Sequence, residues 1–217
     1  MTPMIIRKAM LAACITLTSF AVAAQDRLPT ISPADYNAEQ AKAAEEFLAA
    51  RKTPVFGPFE PLMYSPNLMN LARGMGDYLR YKPSIGNTLS ELAILITARE
   101  WTQDYEWYVH YPIALKAGIK KELADRIALG QVPEGMSEDE ALIYQFAWEL
   151  NRNKRVSDEA YAKVETRFGK QGAVDLAGIC GYYTFLAMEL NMARYPIPGD
   201  GKLLPRLESA ATTGKSK

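Results

Sequence analysis

The chain has 217 residues, enough for one ordinary domain with a real core and too few for two comfortable ones. Its 48% hydrophobic and 23% charged content are globular values, and 25 basic residues balance 25 acidic ones. No basic stripe marks a nucleic-acid binder, and no acidic tail marks a solvating segment.

Residues 1–24 read as a cleaved secretory signal. Arg7 and Lys8 form a positive start, Ala9 to Phe20 is a short apolar run, and Ala21-Val22-Ala23 is a small-x-small cleavage site, with Val22-Ala23-Ala24 as the alternative. The run is too short to span a bilayer comfortably. The expectation is an exported, periplasmic bacterial protein with no stable membrane insertion after cleavage. Losing Arg7 and Lys8 takes the 25 bases to 23 against 25 acids. Leu11-Ala12-Ala13-Cys14 has the form of a lipoprotein box, but only five residues separate Lys8 from Cys14, and the apolar run continues after the cysteine. Anchoring at Cys14 is the alternative to a soluble product. The mature chain keeps one cysteine, Cys180, which cannot form an internal disulfide and sits in an apolar run that favours a buried, inert thiol.

Residues 25–54 are expected to hold a loose start, a helix opened by Ser32-Pro33 and running to about Arg51, and a linker. Residues 52–64, with three prolines and a glycine, form a loop whose aromatics suggest that it packs over something. Ser65-Pro66 opens a helix to about Tyr81. Thr88-x-x-Glu91 has the capping-box pattern and opens a helix to about Trp101, apolar almost all round and therefore central. A helix over about 103–117 ends at Gly118, with a kink or break expected after His110 because of Pro112. Further helices are expected over about 120–129, 137–153, 157–168 and 170–193, the Ser137-Glu140 pair forming a second capping box. No stretch alternates with period two. The fold class is all-α, a single-domain bundle of about seven helices, with a flexible tail over 201–217.

The chemistry points to Thr88–Gly118, which holds the one histidine, His110. Glu106 lies one helical turn before it, on the same helix face. A carboxylate that orients an imidazole makes a general acid/base pair near neutral pH, and a surface ion pair is the bland alternative. Tyr105, Trp107, Tyr108 and Tyr111 wall a dry pocket or fill the core. Glu91 caps its helix or faces the cleft. Arg99 is a candidate to pair with a substrate carboxylate, or makes an ordinary salt bridge. The chain has no CxxC, no glycine-rich phosphate loop, no GxSxG and no HExxH, and one histidine builds no His-rich metal site. Neither a metal nor another cofactor is expected.

The stretch LSELAILITAREWTQDYEWYVHYPIALKAGI resembles the core of the carboxymuconolactone decarboxylase-like family, which includes the alkylhydroperoxidase-D-like proteins. Leu89 to Arg99, then Tyr105-Glu106-Trp107 with His110, Ala114 and Gly118, carry the likeness. Gly181-Tyr182-Tyr183-Thr184 and Asn191 extend it, over roughly residues 55–200 in all. The resemblance implies an all-α fold with a central helical hairpin, assembled as a homo-oligomeric trimer or hexamer. It places the peroxidase branch's Glu on Glu91, its His on His110 and its two redox cysteines on Gln103 and Glu106. A thiol peroxidase needs a thiolate. This chain thus resembles a branch without the redox pair. The decarboxylase branch needs no cysteine and no cofactor. The function implied is acid/base chemistry on a small carboxylated or lactone substrate, with His110, Glu106 and Glu91 catalytic. Arg99, Gln103, Tyr105, Trp107 and Tyr111 are expected to contact the substrate. A non-catalytic small-molecule-binding protein is the alternative, and peroxiredoxin or alkylhydroperoxidase activity a further one.

Overall fold

The computed structural model describes residues 26–207; the expected signal sequence, the Cys14 box and residues 208–217 lie outside the described residues. These residues form a 3-10 turn and eight α-helices, and no strand occurs among them. In order the helices are α1 (Ala38–Arg51), α2 (Phe59–Leu62), α3 (Pro66–Tyr81), α4 (Asn87–Glu100), α5 (Asp104–Lys116), α6 (Lys121–Ala128), α7 (Glu138–Asn153) and α8 (Asp158–Ala193).

The axis of the bundle is α4. Every residue from Ser90 to Arg99 is buried, because α5, α7 and α8 enclose the helix on all sides. Its all-round apolar composition demands this burial. Outside that centre, α3 packs on α8, and α1 on α3. Apolar side chains from α4 and α8, among them Leu92, Leu95, Leu176, Ile179 and Leu190, are fully enclosed. By length and composition α8 could cross a bilayer, but 61% of its apolar window is buried, as in the core helix of a bundle.

Local signals were used unevenly. Ser137 with Glu140 forms the expected capping box, and Ser157 caps α8 through the Ala160 amide. Ser32 caps only the 3-10 turn Pro33–Asp35, while α1 opens at Asn37, which forms a reciprocal box with Gln40. Ser65 makes no side-chain cap. Thr88 forms no box with Glu91. Gly86 (φ 81°) is the N-cap instead, so α4 starts before Thr88 and Glu91 lies past its third residue. The Thr88 hydroxyl donates to the Ala117 carbonyl at 2.7 Å.

Two other expectations are corrected. Helix α5 runs through Pro112 to Lys116 without a break. The proline removes one backbone bond, and packing on α4 and α6 holds the helix together. The expected division between the last two helices is present inside α8, where Gly169 (φ 70°, ψ 177°) is non-helical and kinks the chain. Residues 201–207 are tied down: Leu204 is buried, its amide donates to Asp104 Oδ1 at 2.9 Å, and Arg206 pairs with the same carboxylate.

Candidate active site

The site is built on the turn between α4 and α5. Thr102 takes a left-handed conformation (φ 47°), and the Gln103 amide donates back to the Ala98 carbonyl at 2.9 Å. The Gln103 side chain then caps α5 by accepting from the Glu106 amide at 3.0 Å. This turn folds α5 back along α4, and the Thr88–Ala117 bond ties the far end of the hairpin.

Folding back brings Glu91 of α4 beside His110 of α5. Glu91, Glu106 and His110 are each 2% exposed. Glu91 Oε2 lies 2.7 Å from His110 Nδ1, and Glu106 Oε2 lies 3.5 Å from Nε2. The imidazole thus has a carboxylate at each nitrogen. Helical spacing gave Glu106 the orienting role. The structure gives the short bond to Glu91, because the hairpin carries that side chain straight to Nδ1. Glu106 faces the other nitrogen at a distance longer than a good hydrogen bond.

A cavity of about 30 Å³ opens on Glu106 and His110, lined also by Arg51, Arg80, Tyr105 and Tyr183. That is room for about two waters. The Tyr183 ring stands edge-on to the imidazole, 5.0 Å between centroids, and Tyr182 stands edge-on to Tyr183 at 5.2 Å. The loop over 52–64 packs onto this site, and its Phe56, Pro58 and Phe59 form part of the wall. Gly57 (φ 58°) permits the close approach, since a Cβ there would collide with the Tyr105 hydroxyl.

The walls are short of hydrogen bonds. Glu106 Oε1, the Tyr183 hydroxyl, Arg80 Nε and Arg51 Nη2 are buried and without a protein partner. An unmade bond at a buried polar atom costs roughly 1–3 kcal/mol, so four at one cavity are a functional signal. Burial raises the Glu106 carboxyl, while His110 and Arg80 pull it back down. Burial likewise pushes the Tyr105 phenol up to about 12 and holds the Tyr183 phenol well above its usual range. Both remain protonated donors at neutral pH.

The other residues expected at the site divide. Tyr105 is at the cavity. Arg99 is turned away from it: Nη1 donates to the Ala128 and Pro205 carbonyls at 2.9 and 2.8 Å, and Nη2 to Thr102 at 2.7 Å. It clamps the C-terminal segment onto α6 and has no contact with the cavity. Gln103 is committed to its cap and, through Nε2, to Asn191 at 3.2 Å. Trp107 and Tyr111 stack on each other at 5.7 Å on another side of α5, beside a separate groove of about 620 Å³. Arg51, Arg80, Phe56 and Phe59 were not foreseen. Arg80 had a visible signal, one turn after Gly76 on the inner stripe of α3. Among the described residues no group of three His, Cys, Asp or Glu side chains is placed to hold a metal ion.

Neither protein-family models nor the curated proteins give a match to the chain. Solved structures do. The debrominase Bmp8 in complex with 2,3,4-tribromopyrrole superposes with a TM-score of 0.62 at 12% identity, over 80% of this chain and 92% of that one. The alkylhydroperoxidase AhpD core of an uncharacterized peroxidase-related protein from Ralstonia eutropha JMP134 superposes with a TM-score of 0.65 at 18% identity, over 81% and 93%. This chain has the alkylhydroperoxidase-D-like fold. The sequence resemblance implied that fold, with the hairpin at its centre. It also placed the two redox cysteines of the peroxidase branch on Gln103 and Glu106. In the structure the first position is a helix cap and the second a carboxylate facing His110 Nε2. Cys180 lies elsewhere, with Thr97 and Asn151, and burial pushes its thiol up to about 12.

Proposed function

We propose that the protein is an enzyme of cofactor-independent acid/base chemistry, decarboxylation included, acting on a small carboxylated or lactone-type molecule. The observation that carries this reading is the buried imidazole between two carboxylates, opening on a cavity with unpartnered donors. Glu91 accepts from Nδ1–H and fixes the tautomer, so that Nε2 faces Glu106 as the proton acceptor. Glu106 and His110 then hold one proton between them. Arg80, Arg51 and the Tyr183 hydroxyl offer donors to a substrate carboxylate or to an oxyanion that develops during reaction.

For decarboxylation of an unsaturated β-carbonyl acid, the bond between the α-carbon and the carboxyl group breaks and carbon dioxide leaves. Its electron pair passes into the conjugated carbonyl. The Glu106–His110 pair delivers the proton to carbon, and solvent restores it. The raised Glu106 carboxyl supports this role, because a carboxyl kept protonated closer to neutral pH can donate.

The proposal includes export and assembly as a homo-oligomer. An exposed apolar stripe on α3, Leu68, Leu71 and Met75, supports the assembly. Light scattering on the mature wild type and on Leu71→Glu tests it, with a smaller species expected for the variant.

The test of the chemistry uses the protein from residue 25 onward, its His110→Ala variant, and a panel of carboxylated lactones and β-keto acids followed by NMR in deuterated water. Decarboxylation or deuterium incorporation by wild type alone is expected. Tight binding without turnover by either protein turns the reading into that of a binding protein.

A further inference from the structure

The inner cavity, at about 30 Å³, accommodates only the reacting end of a substrate. The rest must lie outside it, and the fold provides one adjoining place. A cleft of about 620 Å³, the size of an ordinary small-ligand site, lies between the end of α1 and the outer side of α3. Arg51 and Phe56 line both spaces, so these two side chains form the wall between cleft and cavity.

The chemistry of the cleft is specific. Phe56, Tyr78 and Tyr81 are 38%, 40% and 65% exposed, and they present aromatic surface to it. Two bases and one acid line it, namely Arg51, Lys82 and Asp77. Asp77 is already compensated, since Oδ1 accepts from Arg51 Nε and Oδ2 from Arg73 Nη1, each at 2.9 Å. Lys82 has no carboxylate partner among the described residues. Arg51 is held by that Asp77 bond and by the Phe59 ring, 4.7 Å from its Cζ, and yet keeps Nη2 buried and unpartnered. A fixed guanidinium with a spare donor fits a carboxylate, and the rings around it fit an aryl group.

We propose that this cleft is the binding site for an aromatic carboxylate. Its anionic end meets Arg51 at the wall and its ring lies against Phe56, Tyr78 and Tyr81, with Lys82 at the rim. The inference rests on the acid/base reading for its link to turnover, but it concerns binding and is measured as binding.

The experiment is calorimetric titration of the mature protein with 3-phenylpropionate and with its uncharged amide. Wild type binds the carboxylate, and the amide binds about tenfold more weakly or worse. Tyr81→Ala and Lys82→Ala, both at exposed positions that leave the fold intact, each weaken the carboxylate about three- to tenfold. His110→Ala binds it as wild type does. Equal binding of acid and amide, no binding by wild type, or unchanged affinity in both rim variants overturns the proposal. A His110→Ala variant that binds normally but turns over any substrate as wild type does sinks the acid/base reading and leaves the cleft standing.

Discussion

Glu91 and His110, nineteen residues apart, meet at 2.7 Å across the central hairpin, and both are buried. The bond decides which ring nitrogen carries the proton. Glutamine at position 91 keeps the shape but removes the carboxylate's charge, and its amide can turn either its oxygen or its N–H to Nδ1. The tautomer is then no longer fixed, and Nε2 loses basicity toward Glu106. Glu91→Gln is expected to lower kcat about a hundredfold, with a melting temperature close to that of wild type. Equal kcat in the two proteins assigns the bond a purely structural role.

Glu189 gives a prediction about pH. Its carboxylate on α8 is buried with neither oxygen partnered, and burial, with the charge of Glu106, pushes it up to about 8. The folded state therefore holds a proton that the unfolded chain releases near the usual carboxylate value. A folded-state value above the unfolded one means stability is greatest at low pH and is lost as pH rises from about 4.5 to about 8. Urea unfolding of wild type and Glu189→Gln at pH 5 and pH 8 checks it. The wild type is expected to lose about 3 kcal/mol more than the variant between the two conditions. Parallel losses place the titration elsewhere.

Much of the fold was legible because its signals are local. The all-round apolar face of α4, the Ser137 box and the Ser157 cap each act within a few residues. The site was legible only in part. Helical spacing shows Glu106 beside His110 but cannot show that Glu91 arrives from the other arm of the hairpin. Nor can it show that Arg51, at the end of α1, and Phe56, in a proline-rich loop, close over the same cavity. Arg99 misled for the same reason. A base in an apolar helix looks available, and only the fold shows three of its hydrogen bonds taken by Ala128, Pro205 and Thr102. Pocket wall and core were both open for the aromatics of Tyr105–Tyr111, and both occur, Tyr105 at the cavity and Trp107 in the core, because a helix sends its successive residues to different sides.

Cys180 is expected to be silent. Burial is the first cause of its raised thiol, which stands at about 12. At pH 8 about one thiol in ten thousand is ionised, and the thiolate is the reactive form. Native protein treated with a disulfide reagent at pH 8 is expected to release no colour over minutes and one equivalent after unfolding in guanidinium. Rapid reaction of the native protein, with hydroperoxide consumption lost in Cys180→Ala, reopens a peroxidase reading.

Gly57 tests whether the loop over the cavity is part of the site. Its φ of 58° favours glycine, and a Cβ there collides with the Tyr105 hydroxyl, so alanine forces the loop outward. Phe56, Pro58 and Phe59 move with it, and these residues close the cavity at Glu106 and His110. The central hairpin is covalently remote and keeps its own contacts. Gly57→Ala is therefore expected to cost about 1–3 kcal/mol of stability. It is also expected to lower kcat/KM about tenfold or more, because water enters beside Glu106 and weakens the electrostatics of the pair. The bulkier Gly57→Val is expected to be worse in both respects. Tyr105→Phe removes the hydroxyl that the Cβ meets, so the double variant Gly57→Ala, Tyr105→Phe is expected to recover part of the stability lost by Gly57→Ala alone. A double variant no more stable than the sum of the two single changes means that backbone conformation, rather than the Tyr105 contact, sets the position of the loop.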